Sequence, residues 1–309
     1  MSRSAEPGER QGLLTTSVGT HAGAFTTLDW ALFLSIGAIW GSSFLFIRIG
    51  LDAFAPGLIT FLRIAFGATV LWLVPSSRAP VEREDRPRVI LISILWVAIP
   101  FTLFPLAEQH ITSGLTGLIN GALPIFAGTI GALMLRRLPA RIQVTGLAVG
   151  FVGIAAIAVP TMGEGSSETV GVLLALLAVV CYGVAINVAA PVTQRYGALP
   201  TMARMLAWAT LWTSPIGLVG FVRSTFAWPS FAAVLALGVL GTGVAFVLMG
   251  RLVARVGSTR ASTATYLIPV VALVLGVVFL DESVHLLSIL GIALVIAGAV
   301  LASRRERTG

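Results

Sequence analysis

Residues 230–250 read SFAAVLALGVLGTGVAFVLMG, 21 residues without a charge, closed by Arg251. An α-helix rising about 1.5 Å per residue needs about 20 such residues to cross a bilayer's hydrocarbon core. Nine further runs of this kind can be marked: 30–50, 56–76, 88–106, 112–135, 140–160, 169–190, 200–221, 258–280 and 284–303. Short breakers that are polar, charged or carry Gly and Pro separate them, such as Ser77 to Arg88, Arg136 to Arg141, Thr161 to Thr169 and Arg251 to Arg260. Composition agrees. The chain is 57% hydrophobic and 11% charged, against about 25% charged in an ordinary soluble domain, and its mean hydropathy is +0.96. Disorder, a coiled coil and a secreted disulfide scaffold are excluded, and the single Cys181 can form no internal disulfide. The expectation is an all-α polytopic membrane protein with ten transmembrane helices.

Sidedness follows from the arginines. All 20 basic residues are Arg and none is Lys, which reads as codon bias rather than phosphate recognition. If the ten runs cross in turn, 17 of these 20 fall on one side. They are Arg3 and Arg10, the clusters Arg78–Arg88, Arg136–Arg141 and Arg251–Arg260, the pair Arg195 and Arg204, and the C-terminal Arg304, Arg305 and Arg307. The other side carries acidic links, among them Asp52, Glu108, Glu164, Glu168, Asp281 and Glu282. The positive-inside rule then places both termini in the cytoplasm of a cell with its inner membrane around it. Dispersed in this way, the net charge of +7 builds no nucleic-acid face. Residues 1–28 are expected to be a disordered cytoplasmic tail. They lack a signal peptide's short apolar core and cleavage site, so the first span is expected to stay as a signal anchor. Residues 304–309 form a second short tail.

The chain also matches itself. Ser113-Gly114-Leu115-Thr116-Gly117 followed by Pro124 falls on Ser258-Thr259-Arg260-Ala261-Ser262 followed by Pro269 at an offset of 145, which also carries Gly146 onto Gly291. Trp40-Gly41 falls on Tyr182-Gly183 at an offset of 142. Five helices is an odd number, so a second five-helix unit must sit inverted relative to the first. The expected units are 29–160 and 168–303. Inverted repeats are the architecture of alternating-access carriers with a substrate site near the midplane.

Trp40-Gly41-Ser42-Ser43-Phe44, Ile47-Arg48 and Phe61-Leu62-Arg63 resemble the opening of EamA-type members of the drug/metabolite transporter superfamily. Ala107-Glu108-Gln109-His110-Ile111-Thr112-Ser113 through Pro124 resembles their fourth helix. Gly257-Ser258-Thr259 through Pro269, Asp281-Glu282 and the Gly291 helix resemble the end of their second repeat. The resemblance covers about residues 30–303. It implies a carrier of small organic metabolites, often amino acids moved outward, with a cavity lined by helices 1, 3, 4, 6, 8 and 9. One position departs: Arg137 stands at the fourth-to-fifth helix turn where an acidic residue is often seen, while the second repeat keeps Glu282.

Polar residues inside the spans are where function should show, since they are expensive in hydrocarbon. Asn120 sits mid-span, with Thr116 and Thr112 one and two turns before it, and Pro124 should free its carbonyl from the helix. These groups suit a ligand, or equally interhelical hydrogen bonds of about 0.6 kcal/mol. Thr265 and Tyr266 sit similarly before Pro269. Tyr182 and Asn187 in the sixth run, and Trp40, Ser42 and Ser43 in the first, complete a substrate-binding set drawn from four helices. Arg63, two turns into the second span, reads as a structural charge paired with Asp52 or Glu108, in preference to a substrate ligand. Arg48 and Asp52, at i and i+4, read as an anchoring pair. Glu108 and His110 are the nearest candidates for proton coupling.

The small-residue stripes Ser113/Gly117/Gly121, Gly146/Gly150 and Ser258/Ser262 read as helix-packing faces. Trp30 and Trp228 read as interfacial anchors; Trp72, Trp96, Trp208 and Trp212 are left as anchors or lipid-facing. No metal motif, cysteine pair or phosphate-binding loop is present, and Ser42 has no activating His or Asp at its depth. The sequence therefore points to a secondary transporter with a small-molecule substrate, the bilayer as its other partner and no cofactor, and not to an enzyme. A facilitative uniporter or a channel is the alternative, and a membrane-embedded enzyme is a remote third.

Overall fold

The computed structural model describes residues 25–134, 141–162, 166–256, 261, 263–283 and 286–302. Most of both tails, Arg136-Arg137, Glu164, Ser258-Thr259-Arg260, Ser262 and His285 lie outside them. Among the described residues the regular structure is helical, with no strand. Helix falls in each of the ten expected runs, and seven helical segments are long and apolar enough to cross a membrane. The other three runs hold shorter apolar helices, Val144–Gly153, Ala264–Leu280 and Ile289–Gly298.

Helix α1 (Thr27–Leu51) opens on a capping box. Thr26 Oγ1 accepts from the Asp29 backbone N–H at 3.3 Å, and the Asp29 carboxylate accepts from the Thr26 N–H at 2.9 Å. This satisfies donors that a helix start leaves open. Helix α2 (Pro56–Leu73) starts on a proline, whose missing N–H costs nothing there. Helix α3 (Arg83–Ala107) opens on a 3₁₀ turn at Arg83–Asp85 and passes a π segment at Ser93–Ala98. Helix α4 runs Ser113–Asn120, breaks at Gly121 and Ala122, and resumes as Leu123–Met134. The break sits just ahead of Pro124, which offers no N–H to the Asn120 carbonyl.

The chain continues through α5 (Arg141–Met162), α6 (Ser166–Tyr196) and α7 (Ala198–Val222). Helix α8 runs Trp228–Gly238, passes a π segment at Val239–Val244 and continues as Ala245–Val256. A 3₁₀ turn at Thr263–Tyr266 leads into α9 (Leu267–Leu280), and α10 is Leu286–Ala302. The two π segments are offset by 146 residues, Ser93 corresponding to Val239.

The main helix pairings are α5 with α10, α2 with α7 and α8, α7 with α3, α4 with α9, α1 with α8 and α9, and α6 with α3 and α4. Exchanging helices 1–5 for helices 6–10 leaves this set unchanged. Small residues make the crossings close. A Cβ on Gly117 would lie 2.3 Å from Ala272 Cβ, and one on Gly121 would lie 2.3 Å from Pro269 Cγ. One on Gly298 would lie 2.5 Å from Gly150 N and 2.6 Å from Gly146 O. The packing role expected of the Ser113/Gly117/Gly121 and Gly146/Gly150 stripes is thus visible, whereas the Ser258/Ser262 stripe falls outside the described residues.

The outer surface is apolar, with Val222 84% exposed, Trp228 72% and Leu218 70%. Such a face suits lipid and not water.

Candidate substrate cavity

Residues of both halves line a partly open cavity of about 310 Å³. Small-molecule sites range from about 300 to 1,000 Å³, so this is space for a small solute. Its wall is aromatic. Trp40 on α1 meets Phe246 on α8 edge-on at 6.1 Å, and Phe104 on α3 stands between Phe44 and Tyr182 at 5.6 and 5.8 Å.

Both π segments reach this wall. Trp96 lies in the first. The second carries Gly241, whose carbonyl accepts from Trp40 Nε1 at 3.1 Å, and Thr242, whose Oγ1 accepts from Arg63 Nε at 3.2 Å. A π turn loosens the regular hydrogen-bond ladder, which is why it serves at functional sites.

Of the nine residues singled out as substrate-binding, Trp40, Ser43, Asn120, Tyr182 and Thr265 line the cavity. Asn120 is buried, and its Oδ1 has no hydrogen-bond partner. Ser42, Thr116, Asn187 and Tyr266 are not in the lining. Ser42 and Thr116 return their hydroxyls to the carbonyls of Ile39 and Thr112 within their own helices. Asn187 Nδ2 donates to the Ala127 carbonyl at 2.9 Å and to Gly183 at 2.8 Å, tying α6 to α4. Tyr266 is partly buried in the 3₁₀ turn.

The charged residues differ from the expected pairings. Arg48 makes no ion pair with Asp52; its Nη1 donates to the Glu108 carbonyl at 3.2 Å, because the helix end next to it presents an open acceptor. Arg63 makes no direct ion pair with Asp52 or Glu108, although Glu108 lies within its electrostatic reach. The Arg63 guanidinium lies 3.7 Å from the Phe101 ring centroid and lines the cavity. Glu108 is 1% exposed, and neither carboxylate oxygen has a hydrogen-bond partner. His110 Nδ1 hydrogen-bonds with Ser167 Oγ at 2.8 Å.

The sequence reading did not anticipate Trp96, Phe101, Phe104 or Phe246, nor that α2 and α7 would contribute Arg63, Ala198 and Met202. Their aromatic and apolar character is the same as that of lipid-facing positions, so no signal in the sequence flags them. Glu282 is a further addition. Its carboxylate accepts from the Ser113 and Gly114 backbone N–H groups at 2.7 and 2.8 Å, so a residue following α9 caps α4. Gly276 and Gly114 make room for it, since a Cβ there would stand 2.3 and 2.9 Å from Glu282 Oε2.

The EamA-like transporter family model matches residues 29–159 and 169–304. A probable terminal-alkyne amino-acid exporter of Streptantibioticus cattleyicolor is 30% identical over 89% of this chain and 93% of its own length. The uncharacterized inner membrane transporter YedA of Escherichia coli K12 is 25% identical over 85% of this chain and 86% of its own. A crystal structure with 19% identity is similar in fold, with a TM-score of 0.60 over 90% of this chain and 97% of that one. With both of its halves matched, the chain is a membrane protein that belongs to the EamA-like transporter family.

Proposed function

We propose that this protein is a secondary transporter that exports a small organic metabolite, an amino acid or related compound, across the inner membrane by alternating access. Ten spans form two inverted five-helix repeats, 29–160 and 168–303, with both termini in the cytoplasm. The observation that carries the reading is the cavity, whose walls come from both halves. Support for the repeat comes from the double family match, the exchange symmetry of the helix pairings and the paired π segments. Trp40, Ser43, Asn120, Tyr182 and Thr265 contact the substrate. The name of the Streptantibioticus relative supports an amino-acid-like cargo.

Glu108 is the coupling group in this reading, in preference to His110. A carboxyl buried without a donor is far cheaper neutral than charged, so conformations that expose and bury it exchange a proton. Purified protein in proteoliposomes should move a labelled amino acid with saturable kinetics, faster when a pH gradient is imposed. Glu108→Gln should keep flux down the substrate gradient and lose the response to the pH gradient. Non-saturating flux would identify a channel instead.

A further inference from the structure

Arg63 is a cation with no anion in direct contact, and the Glu108 carboxyl, the acidic group that acts on it, does so only through space. Arg63 is 6% exposed, enters none of the ion pairs among the described residues, and spends only Nε on a protein acceptor, Thr242 Oγ1 at 3.2 Å. Its other contact is the Phe101 ring, which favours a cation but neutralises nothing. Both Nη groups, four N–H donors, make no hydrogen bond among the described residues. A charge taken out of water in this way is costly until an opposite charge meets it. Because Arg63 lines the cavity, whatever occupies the cavity can supply that charge. Asn120 presents a second unmet need, a buried Oδ1 that lacks a donor. Between these points the walls are aromatic rings, which suit an apolar body.

We propose that the cavity is a receptor for small carboxylates with an apolar body, in which the Arg63 guanidinium takes the carboxylate in a two-pronged hydrogen bond and Asn120 Oδ1 accepts from a donor group on the same ligand. The planar fork of a guanidinium matches a carboxylate and fits no neutral amide or amine equally well. This assignment rests on the cavity being the transport site and makes its polarity specific: the ligand is recognised by its negative end. A solute without that end leaves Arg63 unneutralised and binds poorly however well its body fits.

The test is calorimetric titration of the purified full-length protein in detergent with four probes sharing one body: L-phenylalanine, 3-phenylpropionate, phenylalaninamide and phenylethylamine. The two carboxylates should bind at least about thirtyfold more tightly than the amide and the amine, the loss expected when a buried charge is left without its partner. L-phenylalanine should exceed 3-phenylpropionate, since only it brings a donor to Asn120. Arg63→Gln should remove the preference for carboxylates, while Arg63→Lys keeps it with weaker binding. Equal binding of all four probes, no binding by any, or an unchanged preference in a folded Arg63→Gln variant each overturns the proposal. The wild-type comparison decides even if Arg63→Gln does not fold. Carboxylate-selective binding without flux in proteoliposomes would count against transport alone, and flux without carboxylate selectivity would count against this assignment alone.

Discussion

At the residue scale, two asparagines show how similar sequence signals separate in three dimensions. Asn120 and Asn187 both stand mid-span as amides, and both read from the sequence as candidates for the substrate site. The structure gives Asn187 two carbonyl acceptors and leaves Asn120 Oδ1 open at the cavity. Asn120→Leu should therefore abolish substrate flux while membrane expression and thermal stability in detergent stay near wild type. Asn187→Leu should do the reverse, lowering stability by about 1 kcal/mol and keeping flux. Retained flux in Asn120→Leu would remove that residue from the site. Arg63 teaches a related lesson. Depth along a helix was legible from residue count, but the face it presents depends on which neighbour packs there, and that neighbour is α8, 179 residues away.

At the element scale, the apolar runs and their breakers placed the helices well. What the runs could not reveal were the interruptions inside them. The π segments at Ser93–Ala98 and Val239–Val244 contain no proline, so no residue type announces them. The break at Gly121 and Ala122 was foreshadowed by Pro124. Glu282 could be read as an acidic link and as the acidic residue kept at the second repeat's helix turn, but not as a cap, because its acceptor role depends on α9 ending beside the first turn of α4. Asp281, the C-cap of α9, adopts a left-handed φ of 53°, and the Glu282 N–H after it returns to the Gly276 carbonyl at 3.2 Å. Glu282→Ala should cost about 1–3 kcal/mol, the penalty for leaving buried donors unmet, read as a lower melting temperature in detergent. Gly117→Val should be more damaging than Gly128→Val, since Gly117 has Ala272 against it and Gly128 has open space. Equal melting temperatures for those two variants would show that the α4–α9 crossing is not close.

For the whole molecule, the arginine distribution and the pairings of helices carry the account. Ionic contacts at the ends assigned to the cytoplasm join one half to the other: Asp29 on α1 to Arg255 on α8 at 2.5 Å, and Arg195 on α6 to Glu82 and Asp85 at the start of α3 at 2.5 and 2.9 Å. Half-exposed pairs such as Arg195 with Glu82 contribute about 0–1 kcal/mol, weak enough to break in the proposed cycle. Near the opposite ends, Gly50 on α1 faces Val234 on α8, with a Gly50 Cβ position only 3.0 Å from Val234 Cγ2. That spacing suits a disulfide, and in the proposed alternating-access cycle the two helices separate there. The most direct test is the Gly50→Cys/Val234→Cys variant in a Cys181→Ser background, assayed for flux in proteoliposomes before and after oxidation. The account predicts transport when reduced, loss of transport when cross-linked and recovery on reduction; full transport by the cross-linked protein would contradict it.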